Sequence, residues 1–126
     1  MRAADTTVVV RLIARDDARQ TAAAEAFVAG GAWVSHLALA ETTWVLESVY
    51  GLGATALGTA VEMLLNHRSL VLQDEEVVAR ALAGFRKRPA PGFSDCLMLE
   101  VARKAGYLPL GTFDRRLGRL QSAQHI

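Results

Sequence analysis

The chain has 126 residues, of which 52% are hydrophobic and 21% are charged. This length suits one domain over residues 1–126 with a single core, and the composition excludes a disordered or low-complexity protein. The formal net charge of +1 neither requires nor excludes a nucleic-acid partner. The positions of the basic residues along the chain are more informative than the net charge. Nine of the 14 lie between residues 80 and 119, namely Arg80, Arg86, Lys87, Arg88, Arg103, Lys104, Arg115, Arg116 and Arg119. A surface that faces a polyanion and a set of solvated helix faces explain this stretch equally well.

The single cysteine, Cys96, cannot form an internal disulfide, which fits a reducing compartment, and we expect it to fill core space. No secretory signal is recognisable, and no run of about 18 apolar residues is present to span a bilayer. We therefore expect a cytoplasmic protein with no membrane partner.

The N-terminal segment, residues 2–14, is ambiguous. Its three consecutive valines favour a strand, whereas Asp5, Thr6 and Thr7 resemble a helix cap that is followed by apolar residues at i, i+4 spacing. We choose a short strand that ends at Asp5 and then a helix. The pair Asp16 and Asp17 predicts a turn and a cap.

An alanine-rich helix is predicted next, over residues 18–29, with Ala22, Ala26 and Phe27 on one side and two glycines at its end. A short strand follows over residues 32–35. A long helix over residues 36–50 then carries one carboxylate on a face that is otherwise mostly apolar: Leu37, Glu41, Trp44, Val45 and Ser48. A carboxylate in apolar surroundings needs a partner or a metal ion.

The second half of the chain continues the alternation. Helices are predicted over residues 54–66, from the acidic stretch at 74–76 to about Lys87, and over residues 94–105. In the first of them Leu57, Val61, Leu64 and Leu65 face inward. Strands are predicted over residues 70–72 and 107–110, and the tail after Leu120 adds at most an edge strand. Four short strands separated by helices indicate an α/β fold with a layered sheet.

Four acids fall at comparable places, just past a strand or near the start of a helix: Asp5, Glu41, Asp95 and Asp114. In an open parallel sheet these places border the crevice beyond the carboxyl ends of the strands. Gathered carboxylates repel one another unless they hold a cation, and oxygen ligands select Mg²⁺ or Mn²⁺. Such an ion lowers the pKa of a bound water and polarises a phosphoryl group, so the chemistry implied is phosphodiester hydrolysis.

Each of these acids also has a simpler explanation. Asp95 and Asp114 could cap helices, Glu41 could be exposed or paired with an arginine, and Asp5 could be a turn residue. His36 is better explained as a structural residue at a helix start than as a base, since a metal-activated water needs no histidine.

Four segments together resemble the PIN-domain ribonucleases, most closely the VapC-type toxins of toxin–antitoxin pairs. They are Ala4-Asp5-Thr6-Thr7, the segment from His36 through Glu41-Thr42 to Leu46, Phe93-Ser94-Asp95 to Leu99, and Thr112-Phe113-Asp114-Arg115 to Leu117. Each motif is weak alone, whereas four in this order form a fairly specific signal. The resemblance covers residues 2–120.

The resemblance implies a three-layer α/β/α sandwich around a short-stranded parallel sheet, with a strand over residues 2–5. It implies that Asp5, Glu41, Asp95 and Asp114 form an acidic site for Mg²⁺, or Mn²⁺, that cuts RNA such as tRNA or another structured RNA with a metal-activated water. It also implies a small cognate antitoxin as inhibitor.

Three threonines are candidates to support the acids: Thr6, Thr7 and Thr112. The chain departs from the resembling family at Thr7, where Asn or Ser is usual. Its hydroxyl can still cap a helix or support Asp5, but it lacks an amide.

Two other functions compete with the nuclease. One is a catalytically weak RNA-binding or assembly module, supported only by Thr7. The other is a phosphatase with Asp5 as nucleophile, although that chemistry usually needs a nearby lysine, and the early basic residues are all arginines.

We also expect a homodimer, because the helices over residues 36–50 and 54–66 are apolar enough to leave a face for a second subunit. Trp33, Trp44 and Tyr50 are better explained as core or subunit contacts than as platforms for stacked bases.

Overall fold

The computed structural model, which describes all 126 residues, contains six α-helices and five short strands, and the helices follow one another in pairs. The predicted α/β class with a small parallel sheet is therefore confirmed, and it is consistent with a three-layer sandwich. The chain divides into two compact units, Met1–Glu75 and Glu76–Ile126. The single domain over residues 1–126 stays a prediction. No helix combines the length and the apolar character that crossing a membrane requires.

The first unit contains three strands and four helices. In chain order these are β1 (Arg2–Ala3), α1 (Thr6–Ala14), α2 (Ala18–Val28), β2 (Ala32–Val34), α3 (His36–Ser48), α4 (Ala54–Asn66) and β3 (Leu70–Leu72). The strands form one parallel sheet in the order β1-β2-β3, in which Arg2 pairs with Ala32 and Val34 pairs with Leu72. Each strand is therefore joined to its neighbour through helices, as parallel pairing requires.

Local capping explains where the strands and helices of this unit end. The predicted strand over residues 2–5 stops at Ala3, because the Asp5 carboxylate accepts hydrogen bonds from the backbone N–H groups of Thr7 and Val8 and thereby starts α1. Likewise the strand predicted to reach Ser35 stops at Val34, since the Ser35 hydroxyl accepts a 3.0 Å hydrogen bond from the N–H of Ala38 and caps α3. Both predicted strands were too long at the carboxyl end.

The buried residues of α4 largely match the prediction, and those of α2 are defined by the structure. In α4 the predicted Leu57, Val61 and Leu64 are buried, while Leu65 is only half-buried. In α2 the buried residues are instead Thr21, Ala24 and Val28. The side that carries Ala22, Ala26 and Phe27 is thus not the buried one.

The second unit begins with two helices and ends in a two-stranded parallel sheet. Its elements are α5 (Glu75–Lys87, whose first residue belongs to the first unit), α6 (Phe93–Ala105), β4 (Leu110–Thr112), a 3₁₀ turn (Leu117–Arg119) and β5 (Ala123–His125). The strand predicted over residues 107–110 lies later, over residues 110–112, because Pro109 has no N–H to donate to a strand neighbour. The predicted edge strand in the tail is present as β5 and pairs with β4.

The core of the second unit lies between apolar faces of α5 and α6. Phe85 and Phe93 pack edge to face, with ring centroids 6.0 Å apart and an interplanar angle of 83°. Cys96 is buried beside them in the helix α6, as predicted. Near the end of the chain, β5 runs close over the 3₁₀ turn: a Cβ atom at Gly118 would lie 2.8 Å from the Cβ of His125, so only glycine fits there.

Candidate active site

Asp5 lies at the carboxyl end of β1, where the chain turns into α1. Its Oδ1 atom accepts three hydrogen bonds, from the hydroxyl of Thr7 at 2.6 Å, from the N–H of Thr7 at 3.0 Å and from the N–H of Val8 at 3.3 Å. The Thr7 hydroxyl, followed by the N–H of Val8, lowers the pKa of Asp5. Its Oδ2 atom accepts no hydrogen bond. One carboxylate oxygen is therefore fixed and the other is available to a ligand.

Glu41 lies in the second turn of α3 and reaches Thr6 at the start of α1. The Thr6 hydroxyl donates a 2.8 Å hydrogen bond to Glu41 Oε2, and Oε1 accepts none. Asp5, Thr6, Ser35 and Glu41 line one shallow cavity of about 300 Å³. The structure thus brings Asp5 and Glu41, which are 36 positions apart in the sequence, to a shared cavity.

The surroundings of Glu41 differ from the sequence-based interpretation. Its helix face was expected to be apolar enough to make an unpaired carboxylate unfavourable. In the structure Glu41 is exposed, Leu37 is 71% exposed and Trp44 is 66% exposed, while the opposite face with Leu39 and Leu46 is buried. Desolvation therefore does not force Glu41 to find a partner, and its exposed position agrees with the simpler explanation of that residue.

Asp95 lies in the first turn of α6, in the second unit. The helix is capped by Gly92, which has a φ of +97° and no side chain to bond the backbone, so Asp95 is not the capping residue. The Asp95 carboxylate is half-buried and accepts no hydrogen bond. Burial, followed by the negative charge of Asp114, raises the pKa of Asp95, and the positive charge of Arg116 opposes them. Asp95 is thus a partly desolvated carboxylate beside a second one.

Asp114 follows β4 by two residues and belongs to the same unit. Its Oδ1 atom accepts hydrogen bonds from the N–H groups of Arg116 at 2.7 Å and Leu117 at 3.1 Å, although the residue that caps the 3₁₀ turn is Arg116. These bonds, that of Leu117 first, lower the pKa of Asp114. Its N–H donates to the hydroxyl of Thr112 at 2.9 Å. Oδ2 faces the Arg116 guanidinium at 4.0 Å and accepts no hydrogen bond.

The predicted acids thus form two pairs, one in each unit. Asp5 and Glu41 share a cavity, and Asp95 and Asp114 interact electrostatically. No group of three or more His, Cys, Asp or Glu side chains is arranged to hold a metal ion, so a joint four-acid site stays a prediction. The donor set fits a hard cation, since every acid keeps a carboxylate oxygen that accepts no hydrogen bond.

Comparison with known proteins adds the family. A model of the PIN domain matches residues 3–122. The chain belongs to the PIN domain family. No curated protein and no solved structure matches the chain. PIN domains are generally metal-dependent nucleases, so the family part of the predicted resemblance is confirmed and the chain has a nuclease-type fold.

The remaining predicted residues of this PIN domain lie as follows. Thr7 makes the contact with Asp5 that its hydroxyl was expected to make, and Thr6 and Thr112 contact Glu41 and Asp114. His36 begins α3 and donates its backbone N–H to Gln73 Oε1 at 2.8 Å, as suits a structural residue. Their roles in catalysis stay predictions.

Other interpretations are settled by contacts. Asp17 caps α2 through the N–H of Gln20, and both carboxylate oxygens of Asp16 accept hydrogen bonds, from Arg11 and from the hydroxyl of Tyr50, so the predicted turn and cap are present. Trp44 is not a core residue, since its side chain is largely exposed.

Sequence reasoning on this PIN domain overlooked Arg116, which it counted only as one basic residue among nine. The structure places its backbone N–H on Asp114 and its charge next to both Asp95 and Asp114. The signal was its position two residues after an acid at a strand end, where an aspartate carboxylate commonly bonds the chain two residues on.

Proposed function

We propose that this PIN domain is a metal-dependent endoribonuclease of the VapC type, with Asp5, Glu41, Asp95 and Asp114 as ligands of Mg²⁺ or Mn²⁺. The observation that carries the proposal is the pair of Asp95 and Asp114. A half-buried carboxylate without a hydrogen bond, next to a second carboxylate, is unfavourable unless a proton or a cation neutralises it. Family membership makes a cation the better explanation.

The residues around the acids act by positioning them. Thr7 and Val8 fix one oxygen of Asp5, Thr6 fixes one oxygen of Glu41, and the turn after Asp114 fixes one of its oxygens. A bound Mg²⁺ ion supplies Lewis-acid polarisation of a phosphoryl oxygen and acidifies water. The protein's contribution is a set of oriented carboxylates, of which Asp5, Glu41 and Asp114 are each held through one oxygen and keep the other free for the ion.

The test is cleavage of a structured RNA such as tRNA by purified protein, with Mg²⁺ or Mn²⁺ and with EDTA. Asp5→Asn and Asp95→Asn are expected to abolish cleavage, whereas Asp17→Asn, which changes an acid outside the two pairs, should leave it intact. Retained cleavage in both site variants would refute the assignment. RNA that binds without metal and stays intact would instead favour the catalytically weak binding module.

As a VapC-type toxin, the protein works in the cytoplasm and is inhibited by a small cognate antitoxin. The free, buried Cys96 is compatible with a reducing compartment. A short neighbouring reading frame for a DNA-binding protein would encode that inhibitor. Co-purification of its product with this chain and loss of RNA cleavage in the complex would support this role, and full activity in the mixture would contradict it.

We also propose that two copies associate through exposed apolar residues of α3 and α4, on which Leu37, Trp44 and Met63 are 71%, 66% and 55% exposed. Large apolar side chains grouped on a surface are commonly covered by a partner. A symmetric dimer covers the same patch on both copies.

A further inference from the structure

The second unit contains a cavity of about 580 Å³ whose lining is rich in positive charge. We name it the basic cavity after its five cationic side chains, Arg80, Lys87, Arg88, Arg103 and Arg119. Its only acidic lining residue is Glu100, and its remaining lining is mainly small or apolar, including Ala81, Leu99 and Leu120. A cavity of this kind suits an anion and offers few groups that could distinguish one base from another.

Not all of these cations are already neutralised. Arg80 pairs with Glu76 at 2.7 Å, and Arg103 pairs with Glu100 at 3.1 Å. The charged ends of Lys87, Arg88 and Arg119 have neither an ion pair nor a hydrogen bond in the structure.

Basic residues in the last turn of a helix are often explained by their favourable interaction with the helix dipole. This explanation covers only some of the unpaired cations of the basic cavity. It accounts for Lys87, which lies in the last turn of α5. It does not account for Arg119, which comes from the 3₁₀ turn and reaches the same cavity. Unpaired cations from two separate segments converge there.

The basic cavity continues toward the acidic pair of the same unit. A neighbouring cavity of about 410 Å³ shares Arg88 and Arg119 with it and adds Arg116 to its lining. The Arg116 guanidinium lies 4.0 Å from Asp114 Oδ2. Positive side chains thus lead from the basic cavity to the carboxylates of Asp95 and Asp114, all within residues 76–126.

We propose that the basic cavity binds backbone phosphates of the RNA strand at a distance from the bond that is cut. This inference rests on the proposed nuclease function and assigns a substrate subsite to it. Arginine binds phosphate in a bidentate geometry, and a line of cations follows a single strand without reading its sequence. Arg88 and Arg119 line both cavities and are therefore the residues on which phosphate binding should depend most.

The test measures binding without cleavage, so it does not depend on catalysis. A fluorescein-labelled oligoribonucleotide is titrated in EDTA by anisotropy, over a series of NaCl concentrations. The variant is Arg88→Gln with Arg119→Gln. Its matched control is Arg19→Gln with Arg68→Gln, which removes two exposed, unpaired arginines from the first unit. Circular dichroism and thermal melting verify that both variants fold.

The double variant is expected to bind RNA about tenfold more weakly, with a salt-dependence slope lower by about 0.7 for each lost phosphate contact. The control should stay within about twofold of wild type, and Arg88→Lys with Arg119→Lys should keep the slope, because it keeps the charges. Unchanged affinity and slope in the double variant would overturn the proposal. An equal loss of RNA affinity in the control variant would also overturn it. A parallel titration with polyglutamate would overturn it too, if the double variant lost affinity for that acidic peptide and not for RNA.

This result is separable from that of the nuclease test. If the double variant loses RNA affinity but no metal supports cleavage, the phosphate subsite stands and the nuclease assignment falls. If cleavage depends on Asp95 but RNA affinity is unchanged in the double variant, the nuclease assignment stands and the subsite falls.

Discussion

The hydroxyl of Thr6 donates a 2.8 Å hydrogen bond to Oε2 of Glu41 and so joins the first turn of α1 to the second turn of α3. This bond orients an exposed carboxylate that would otherwise sample several rotamers. Glu41 is therefore presented with Oε1 open, beside the cavity that it shares with Asp5.

We predict that Thr6→Val weakens Mn²⁺ binding by about 10- to 100-fold, the usual effect of removing a hydrogen bond that supports a metal ligand. Thr6→Ser should restore affinity, because it keeps the hydroxyl. Isothermal titration calorimetry with Mn²⁺ measures the effect independently of RNA cleavage. Thr59→Val on α4, where the threonine bonds only its own helix, is the control. Equal affinities for Thr6→Val and wild type would show that the bond does not position a ligand.

The second prediction concerns Thr7, whose hydroxyl is the main cause of the lowered pKa of Asp5. Because that pKa is lowered, Asp5 stabilises the fold above its unfolded-state value near 3.8, and this contribution is lost as pH falls through the folded-state pKa. Thr7→Val should raise the pKa of Asp5 and lower the free energy of unfolding at pH 7. NMR titration of the Asp5 carboxyl carbon checks the first effect and urea denaturation the second. Thr7→Ser should behave like wild type, and an unmoved Asp5 titration in Thr7→Val would contradict the prediction.

Asp95 should show the opposite dependence on pH. Its folded-state pKa is raised above 3.8, so its favourable contribution to stability exists below that value and is lost as pH rises through the folded-state pKa. In metal-free buffer, Asp95→Asn should therefore raise the free energy of unfolding at pH 7, and the gain should shrink as pH falls through the raised folded-state pKa and vanish below 3.8. Urea denaturation from pH 3 to 7 measures it.

Asp114→Asn is the contrasting control for that experiment. The pKa of Asp114 is lowered, so its contribution is present above 3.8 and lost at lower pH, and the substitution should destabilise the protein at pH 7. If both substitutions changed the free energy of unfolding at pH 7 in the same direction, the different surroundings assigned to Asp95 and Asp114 would be contradicted.

Cys96 should resist alkylation in the folded protein. It is 3% exposed, and burial, with the charges of Asp95 and Glu100, raises its pKa to about 11. At pH 8 the reactive thiolate is then roughly a thousandth of the population, far less than for an unfolded cysteine. Iodoacetamide labelling followed by mass spectrometry should be slow in buffer and fast in guanidinium chloride. Equal rates in the two conditions would contradict the burial of this thiol.

Trp44→Lys should shift the proposed dimer to monomer, because it replaces a largely exposed apolar side chain of α3 with a charged one. Light scattering at several concentrations measures the mass in solution. Met98→Lys is the control, since Met98 is 53% exposed but lies on α6 in the other unit. A wild-type protein that is monomeric at all concentrations would refute dimerisation.

Features that depend on neighbouring residues were accessible from the sequence. The helix Ala54–Asn66 and the strand Leu70–Leu72 have the predicted bounds, because hydrophobic period and breaking residues define them locally. Asp5 was placed at the start of a helix by the same local chemistry.

Features that depend on packing between distant residues were not accessible from the sequence. The exposed face of α3 reads as apolar in the sequence, since Leu37 and Trp44 carry no sign of which side the neighbouring elements cover. The Thr6–Glu41 bond joins residues 35 positions apart, and no periodicity encodes such a contact. The pairing of Asp95 with Asp114 was expected from their places at a helix start and a strand end, whereas Arg116 beside them was not.

The last residues of the chain, which pass close over Gly118, also support the segment that leads to Asp114. The backbone N–H of Ile126 donates to the carbonyl of Thr112 at 3.0 Å, and Thr112 in turn holds the N–H of Asp114. Removal of residues 123–126 would therefore take away the strand partner of β4, the element that precedes Asp114 by two residues.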